Sequence, residues 1–363
     1  MTRRVTALLL AVLLGTLALL GAVLAAANHH APAPDPPAFP VSGSVEDGGG
    51  SRDGGDPLLE PLESEPALWL PLVLQPEAQE EWLLHKTADG THPSGHEQQM
   101  VWLMNRARAD PAREGVWLAT SDHPHIAGPR TYFGVDLEML QNEFAGYEAH
   151  APAAFDRRLY TAARAHSEDL IRRDAQDHDG QFERIADAGF VMAGGRGNVF
   201  SYVQSGIYGH AGFNIDWGSG PGGMQPGRGH RMAVMSVDGD YTNVGIAAVP
   251  EDDPQTGVGP LVVTGNYAHA AQAADHYNVF LVGTVWDDGN DNGMYDPGEG
   301  VGGVTVRPHA GLYYAVTANS GGYALPMPED GPYTVSFSAP ANAAYAITVA
   351  GESVLLDVTL GAD

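Results

Sequence analysis

The chain contains no cysteine, and lysine occurs once, at Lys86. Without thiols there can be no disulfide, no thiol catalysis, no cysteine zinc site and no lipoprotein anchor. That absence leaves export open, because a chain with a sizeable core needs no covalent staples. Positive charge is scarce altogether: 18 Lys and Arg stand against 45 Asp and Glu, a formal net charge of −27. Such a surface repels phosphate backbones and anionic headgroups, so nucleic acid is not an expected partner. Several catalytic signatures are also missing. His96-Glu97-Gln98-Gln99-Met100 starts like a zinc-protease H-E-x-x-H, but Met100 replaces the second histidine. Gly194 to Gly197 lacks the spacing of a dinucleotide loop, and neither a nucleophile elbow nor a P-loop occurs.

What is present begins with an address. Arg3 and Arg4 precede an apolar run from Val5 to Ala27 that ends in three alanines. A basic start, an apolar centre and a small-residue exit predict a secretory signal over 1–27. A retained anchor is the alternative, since the run approaches the ~20 residues that span a bilayer. The expected location is secreted or periplasmic, with membrane contact only through this segment if it stays uncleaved. Residues 28–94, rich in Pro, Gly and acids near their start, are expected to form a flexible spacer. Leu68 to Leu74 is a short apolar patch within it.

Two folded units are expected after that, over 95–272 and 277–363. In the first, Met100, Leu103, Met104 and Ala107 recur at helical spacing over Glu97–Ala109. A second helix is expected over Phe155–Ala175, with His166 on its buried face as a hydrogen-bonded core histidine, and a shorter one over Phe182–Ala188. The runs Val244–Val249 and Leu261–Tyr267 read as adjacent strands. The fold class is α+β, an α/β/α sandwich. From Val279 onward, seven short runs separated by turn residues predict an all-β sandwich.

The most specific motif joins the first two of those runs. Asp288 to Glu299 satisfies D-x-[DN]-x-[DN]-G-x₅-E at every position. Calcium takes six to eight hard oxygen ligands, here expected from Asp288, Asn290, Asn292, the Met294 carbonyl, Asp296 and Glu299, with Gly293 making the turn. The flanks are strands, unlike the helices of an EF-hand. The stretch Trp286–Val306, with Ser320-Gly321-Gly322-Tyr323 and Gly331-Pro332-Tyr333-Thr334-Val335, resembles the calcium-binding SdrD B-like repeats of bacterial surface adhesins over about 279–360. The resemblance implies a structural Ca²⁺. Some members of the wider group form Lys–Asn cross-links, and no lysine follows Lys86.

The helical unit resembles the CAP superfamily (cysteine-rich secretory protein, antigen 5, pathogenesis-related; SCP-like). The pieces, in order, are Glu97–Pro111, Leu159–Leu170, His178–Phe190, Gly229-His230-Arg231 with Tyr241–Ala247, and Val262–Tyr267. Family members with a complete cavity hold two histidines and two glutamates that can bind a divalent ion such as Zn²⁺. Carried over, the histidines are His178 and His230. The first glutamate falls on Gly197, in Arg196-Gly197-Asn198, and the second has no clear counterpart; Asp216 is the nearest candidate, and His210 lies close in sequence. A catalytic metal site wants a third ligand and a base, so the first expectation is a non-catalytic extracellular module for an unknown ligand, a lipid or cell-wall component. The alternatives are a metal-dependent hydrolase and a surface adhesion protein.

Overall fold

The computed structural model of the protein describes residues 78–361. The expected signal, the patch at 68–74 and the spacer up to residue 77 lie outside the described residues. The end of the expected spacer is a correction. Strand β1 (Glu80–Glu81) pairs in parallel with β8 (Tyr313–Val316), and Trp82 is buried in the core of the C-terminal domain. His85 and Lys86 then bind the Val316 carbonyl at 2.8 and 2.7 Å. Two acidic residues carry no periodicity; the pairing is set by the indole that follows them.

Helix α1 (Gly95–Ala109) opens with a capping box in which Ser94 and Glu97 exchange side-chain and backbone hydrogen bonds. It is buried on nearly every side, unlike a surface helix with one apolar stripe. Asp110 caps α2 (Pro111–Thr120), and α3 (Pro124–Phe133) and α4 (Leu137–Ala145) follow. The short strand β2 (Ala154–Phe155) leads into α5 (Arg157–Arg173) and α6 (Gln181–Asp187). Then come β3 (Met192–Val203), α7 (Gly206–Ile215), α8 (Gly229–Val234), β4 (Asn243–Pro250) and β5 (Leu261–Ala270). The sheet order is β2-β4-β5-β3, with β2 parallel to β4 and the other pairs antiparallel.

Alternation along β5 makes the layers. Val262 packs with Leu170, Thr264 bonds Ser167 at 2.8 Å, and Asn266 donates to the Leu159 carbonyl at 3.0 Å, all on the α5 side. Val263 and Tyr267 turn the other way, onto Met100 and Met104 of α1. The expected α/β/α arrangement is therefore present. Gly245 on β4 lets α5 lie directly on the sheet, since a Cβ there would collide with the Tyr160 backbone nitrogen. Buried His166 bonds the Asp177 carbonyl at 3.0 Å, a satisfied core residue as expected.

The C-terminal domain holds β6 (Phe280–Asp287), β7 (Thr305–Pro308), β8, β9 (Gly322–Pro326), β10 (Gly331–Phe337), β11 (Ala344–Val349), β12 (Val354–Leu355) and β13 (Val358–Leu360). One sheet runs β1-β8-β7-β10-β11; in the other, β6 is flanked by β12 and β13 and also pairs with β9. On β10, Tyr333, Val335 and Phe337 face in while Pro332, Thr334 and Ser336 face out or toward the rim, the period-2 pattern of a half-buried strand. The run expected as one strand over Val354–Leu360 divides at Leu356-Asp357 into two pieces, both parallel to β6.

The two domains share a core. Trp102 and Ile207 of the helical side pack in one cluster with Trp286 and Tyr295, the two indoles meeting edge to face at 5.9 Å. Gln98 donates to Thr284 at 2.8 Å across the same boundary. Among the described residues no helix is long and apolar enough to cross a membrane.

Candidate functional site

The first site forms where α7 ends against α8. Asp216 terminates α7 in the left-handed region (φ 55°, ψ 46°), which a short polar side chain tolerates. Buried Arg231 of α8 donates to the carbonyls of Asn214 and Ile215 and pairs with Glu143, fixing α8 to the end of α7. That brings His230 onto Asp216. Its Nδ1 donates to Asp216 Oδ1 at 2.8 Å, and its backbone N–H donates to Oδ2 at 3.1 Å. Asn198, from the Arg-Gly-Asn stretch, holds the His230 carbonyl at 3.0 Å. Burial works against a charged His230 ring, but the Asp216 carboxylate outweighs it and holds the ring above its ordinary pKa.

His178 sits close enough to His230 to feel its charge; burial first, and that repulsion second, keep its pKa low. Its Nδ1 donates to Gln181 Oε1 at 2.6 Å. Gln181 in turn donates to Asn266 Oδ1 at 2.9 Å, which fixes the amide orientation. Gln181 also explains Gly197. A Cβ at position 197 would lie 2.5 Å from Gln181 Nε2 and 2.7 Å from its Cδ and Oε1. The glutamine fills the volume that a side chain at 197 would need. Sequence reasoning missed it, although the spacing His178-x-x-Gln181 was available as a signal.

His210 is not in this cleft, which corrects its place among the expected ligands. It is buried on another face of α7, where Nε2 donates to Glu114 Oε1 at 2.8 Å and Asn214 donates to Nδ1 at 3.2 Å. Burial would raise Glu114, yet His210 and Arg106 hold it ionised, below the ordinary carboxylate range. Burial holds the His210 pKa below its ordinary value, against the pull of Glu114. Of the expected cleft residues, His230 and Asp216 are in direct contact and His178 lies near His230; among the described residues no three His, Cys, Asp or Glu side chains form a metal cluster.

Beside His230 opens a pocket of about 70 Å³ walled by Phe133, Phe200, Tyr202, Tyr208, Phe213 and Trp217. Phe213 stacks on the His230 ring at 5.7 Å, and Phe133 stacks on Trp217 with 8° between planes. These aromatics come from α3, β3 and α7 and from Trp217, two residues past the end of α7, so only the tertiary fold assembles them.

The second site is the loop between β6 and β7. Asp288 accepts the Asn292 and Gly293 N–H groups at 3.1 and 2.8 Å. Asn290 accepts Asn292 N–H at 3.0 Å, and Asn292 accepts Met294 N–H at 2.7 Å. Both asparagine amides donate to Asp296 Oδ2, at 2.9 and 2.8 Å, and Glu299 accepts the Asp296 N–H at 2.8 Å. Gly293 takes the positive φ of 69° that the turn demands. The Asn290 and Asn292 side chains thus converge on the Asp296 carboxylate, while Asp288 and Glu299 hold neighbouring N–H groups; among the described residues no three His, Cys, Asp or Glu side chains gather as a metal cluster. The helical domain reaches in as well: Gln99 donates to Asp296 Oδ1 and to the Tyr295 carbonyl, both at 3.1 Å. Tyr295 is buried in the junction and donates to the Ser320 carbonyl at 2.9 Å. Lys86, earlier set apart from this domain, lies on it, paired with Glu81 at 3.2 Å.

Comparison with known proteins matches residues 280–360 to the SdrD B-like domain family. No curated protein matches the chain. The solved structure of an extracellular protein containing a SCP domain, from Bacillus anthracis str. Ames, aligns at 16% identity and a TM-score of 0.25. That alignment covers 41% of this chain and 43% of the other, so less than half of that protein's length is spanned. By the family match residues 280–360 are an SdrD B-like domain, here a strand-rich unit joined through a shared core to an α/β/α domain.

Proposed function

We propose that the chain is an exported protein whose helical domain is a CAP-type ligand-binding module, supported by a calcium-stabilised SdrD B-like domain. Export rests on the signal pattern at 1–27, which fits a secreted or periplasmic protein. The CAP reading rests on five motifs in order and on the α/β/α layering. The observation that carries the binding role is the occupation of the cleft. Gln181 fills the place of the first glutamate, and Asp216 gives both oxygens to His230. A general base must reach the proton it abstracts, and among the described residues no carboxylate lines the pocket. The cleft offers a ligand aromatic faces and two imidazoles instead.

Calcium is supported by the motif that places Asp288, Asn290, Asn292, the Met294 carbonyl, Asp296 and Glu299 in one tight, hydrogen-bonded loop. The chemistry of the set, all hard oxygens, suits Ca²⁺ once the two amides turn their oxygens inward. In this reading the ion stiffens the domain.

A second reading has its own observation. Both cleft histidines tie up Nδ1 and leave Nε2 without a protein partner among the described residues, as metal-ligating histidines do. A divalent ion such as Zn²⁺ there would make hydrolysis worth testing. Titration calorimetry of the signal-free protein with Ca²⁺ and Zn²⁺ decides, repeated on Glu299→Gln and on His178→Ala/His230→Ala. Ca²⁺ binding lost in Glu299→Gln, with no Zn²⁺ binding, is the expected result. Zn²⁺ binding that vanishes with the histidine pair, together with hydrolysis of an ester or amide substrate, would replace the binding-module reading.

A further inference from the structure

We infer that the aromatic pocket beside His230 binds the ring of a saccharide. The inference rests on the binding-module reading and names its ligand class. Three features select it. The walls are aromatic, giving the flat apolar faces against which the C–H side of a sugar ring packs. The rim is polar and unspent. The Tyr202 and Tyr208 hydroxyls, the Gln225 amide and His230 Nε2 line the pocket, and none has a hydrogen-bond partner in the protein among the described residues. None is sealed from solvent either. Convergent free donors and acceptors on an apolar floor are what a polyhydroxylated ligand needs.

Size is the third feature. About 70 Å³ is far below the ~300 Å³ and more of pockets that engulf a ligand. An acyl chain would leave most of its methylenes in water. A sugar ring can set one face inside and keep its remaining hydroxyls hydrated, as a unit within a longer glycan must. A quaternary ammonium also packs on aromatic faces, but it would leave the free rim hydroxyls and amide unpaired and would find no free carboxylate here. The nearest one, Asp216, is committed to His230, where it serves as a positioning residue that aims Nε2 outward.

The test uses the signal-free chain and a panel of soluble chito-, cello- and manno-oligosaccharides, followed by tryptophan fluorescence and calorimetry, with palmitate as the rival ligand. At least one oligosaccharide should bind. Tyr208→Phe and Gln225→Ala, which remove rim groups but little packing, should each weaken it 5-fold or more without changing Tm. Failure of every oligosaccharide, or binding unchanged in both variants, overturns the inference. Palmitate bound in their place overturns it too, yet leaves the binding-module reading intact. Shortened oligosaccharides after incubation would do the reverse: the saccharide inference would stand and the non-catalytic reading would fall.

Discussion

Asp357 is a carboxyl group that folding makes harder to ionise. It lies between β12 and β13, accepts the Thr284 N–H at 2.8 Å, and lines a cavity of about 10 Å³ at the domain junction. The indole N–H of Trp102 lies beside it without closing a hydrogen bond of ordinary geometry. Burial pushes its pKa up to about 7 from an ordinary 3.8. Between those values the folded chain keeps a proton that the unfolded chain has lost, so stability falls as pH rises from about 4 through about 7. Each tenfold change in proton affinity is worth about 1.4 kcal/mol, which sets a ceiling of about 4 kcal/mol. The carboxyl is not fully closed to solvent, so about 2 kcal/mol is the working expectation.

His85, on the same cavity wall, runs the other way. Burial holds its ring down to about 4, against the Trp82 and Val316 carbonyls that face its two nitrogens. Its contribution is lost as pH falls below about 6.5, so the two groups oppose one another between pH 4 and 6.5. Asp357→Asn keeps the acceptor for Thr284 and removes the charge. Urea unfolding followed by tryptophan fluorescence at pH 5 and pH 8 isolates the effect. The variant should gain about 1 kcal/mol on the wild type between the two pH values, because only the part of the effect above pH 5 is read. A wild-type-minus-variant difference that is the same at both pH values would refute the reasoning.

Trp82→Ala should destabilise the protein by about 3–5 kcal/mol in the same unfolding assay, because the indole fills the sandwich core between Tyr277 and Tyr313. Gln99→Ala should cost about 1 kcal/mol and lower Ca²⁺ affinity a few-fold by calorimetry, since its amide positions Asp296 and the Tyr295 carbonyl. Gly197→Glu should lower Tm by several degrees, and adding Gln181→Ala should restore much of it, because one volume cannot hold both side chains. Glu114→Ala strands His210 and Arg106 near a buried vacancy and should cost about 3–5 kcal/mol by urea unfolding.

What the sequence showed depended on how far each signal reaches along the chain. Helix α5 with its one buried face, strands β4 and β5 with their apolar runs, and β10 with its alternation carry local patterns that match their burial, whereas α1 is buried on nearly every side. The acidic loop from Asp288 to Glu299 was legible as a turn between two strands, because its motif lies within twelve residues of sequence. Strand β3 was not. Its Gly194, Gly195 and Gly197 break any alternation, yet a Cβ at Gly195 would strike Met192 and the Tyr267 carbonyl, and one at Gly197 would strike Gln181. Close packing of neighbours explains Gly195 and Gly197, though not Gly194, and nothing local announces it. Helix α3 begins on Pro124 and contains Pro129, and it buries little beyond Ile126, so it too lacked a pattern. The histidine pair was found through family resemblance, whereas His210 was misplaced because nearness in sequence says nothing about which side of a helix a ring occupies. The aromatic pocket draws on residues 84 positions apart, from Phe133 to Trp217, and only folding reveals it.

The pairing of β1 with β8 determines how the molecule would carry tension. The described chain enters through one sheet of the sandwich at Glu80 and leaves through the other at Leu360. The whole helical domain hangs between those points as an insertion. A pull applied to both ends would run through the β1–β8 hydrogen bonds and the packed sandwich. The helical domain would stay outside the load path until β1 peeled away. A protein held at one end and drawn at the other could then keep its cleft undeformed, with the SdrD B-like domain as its anchor bolt.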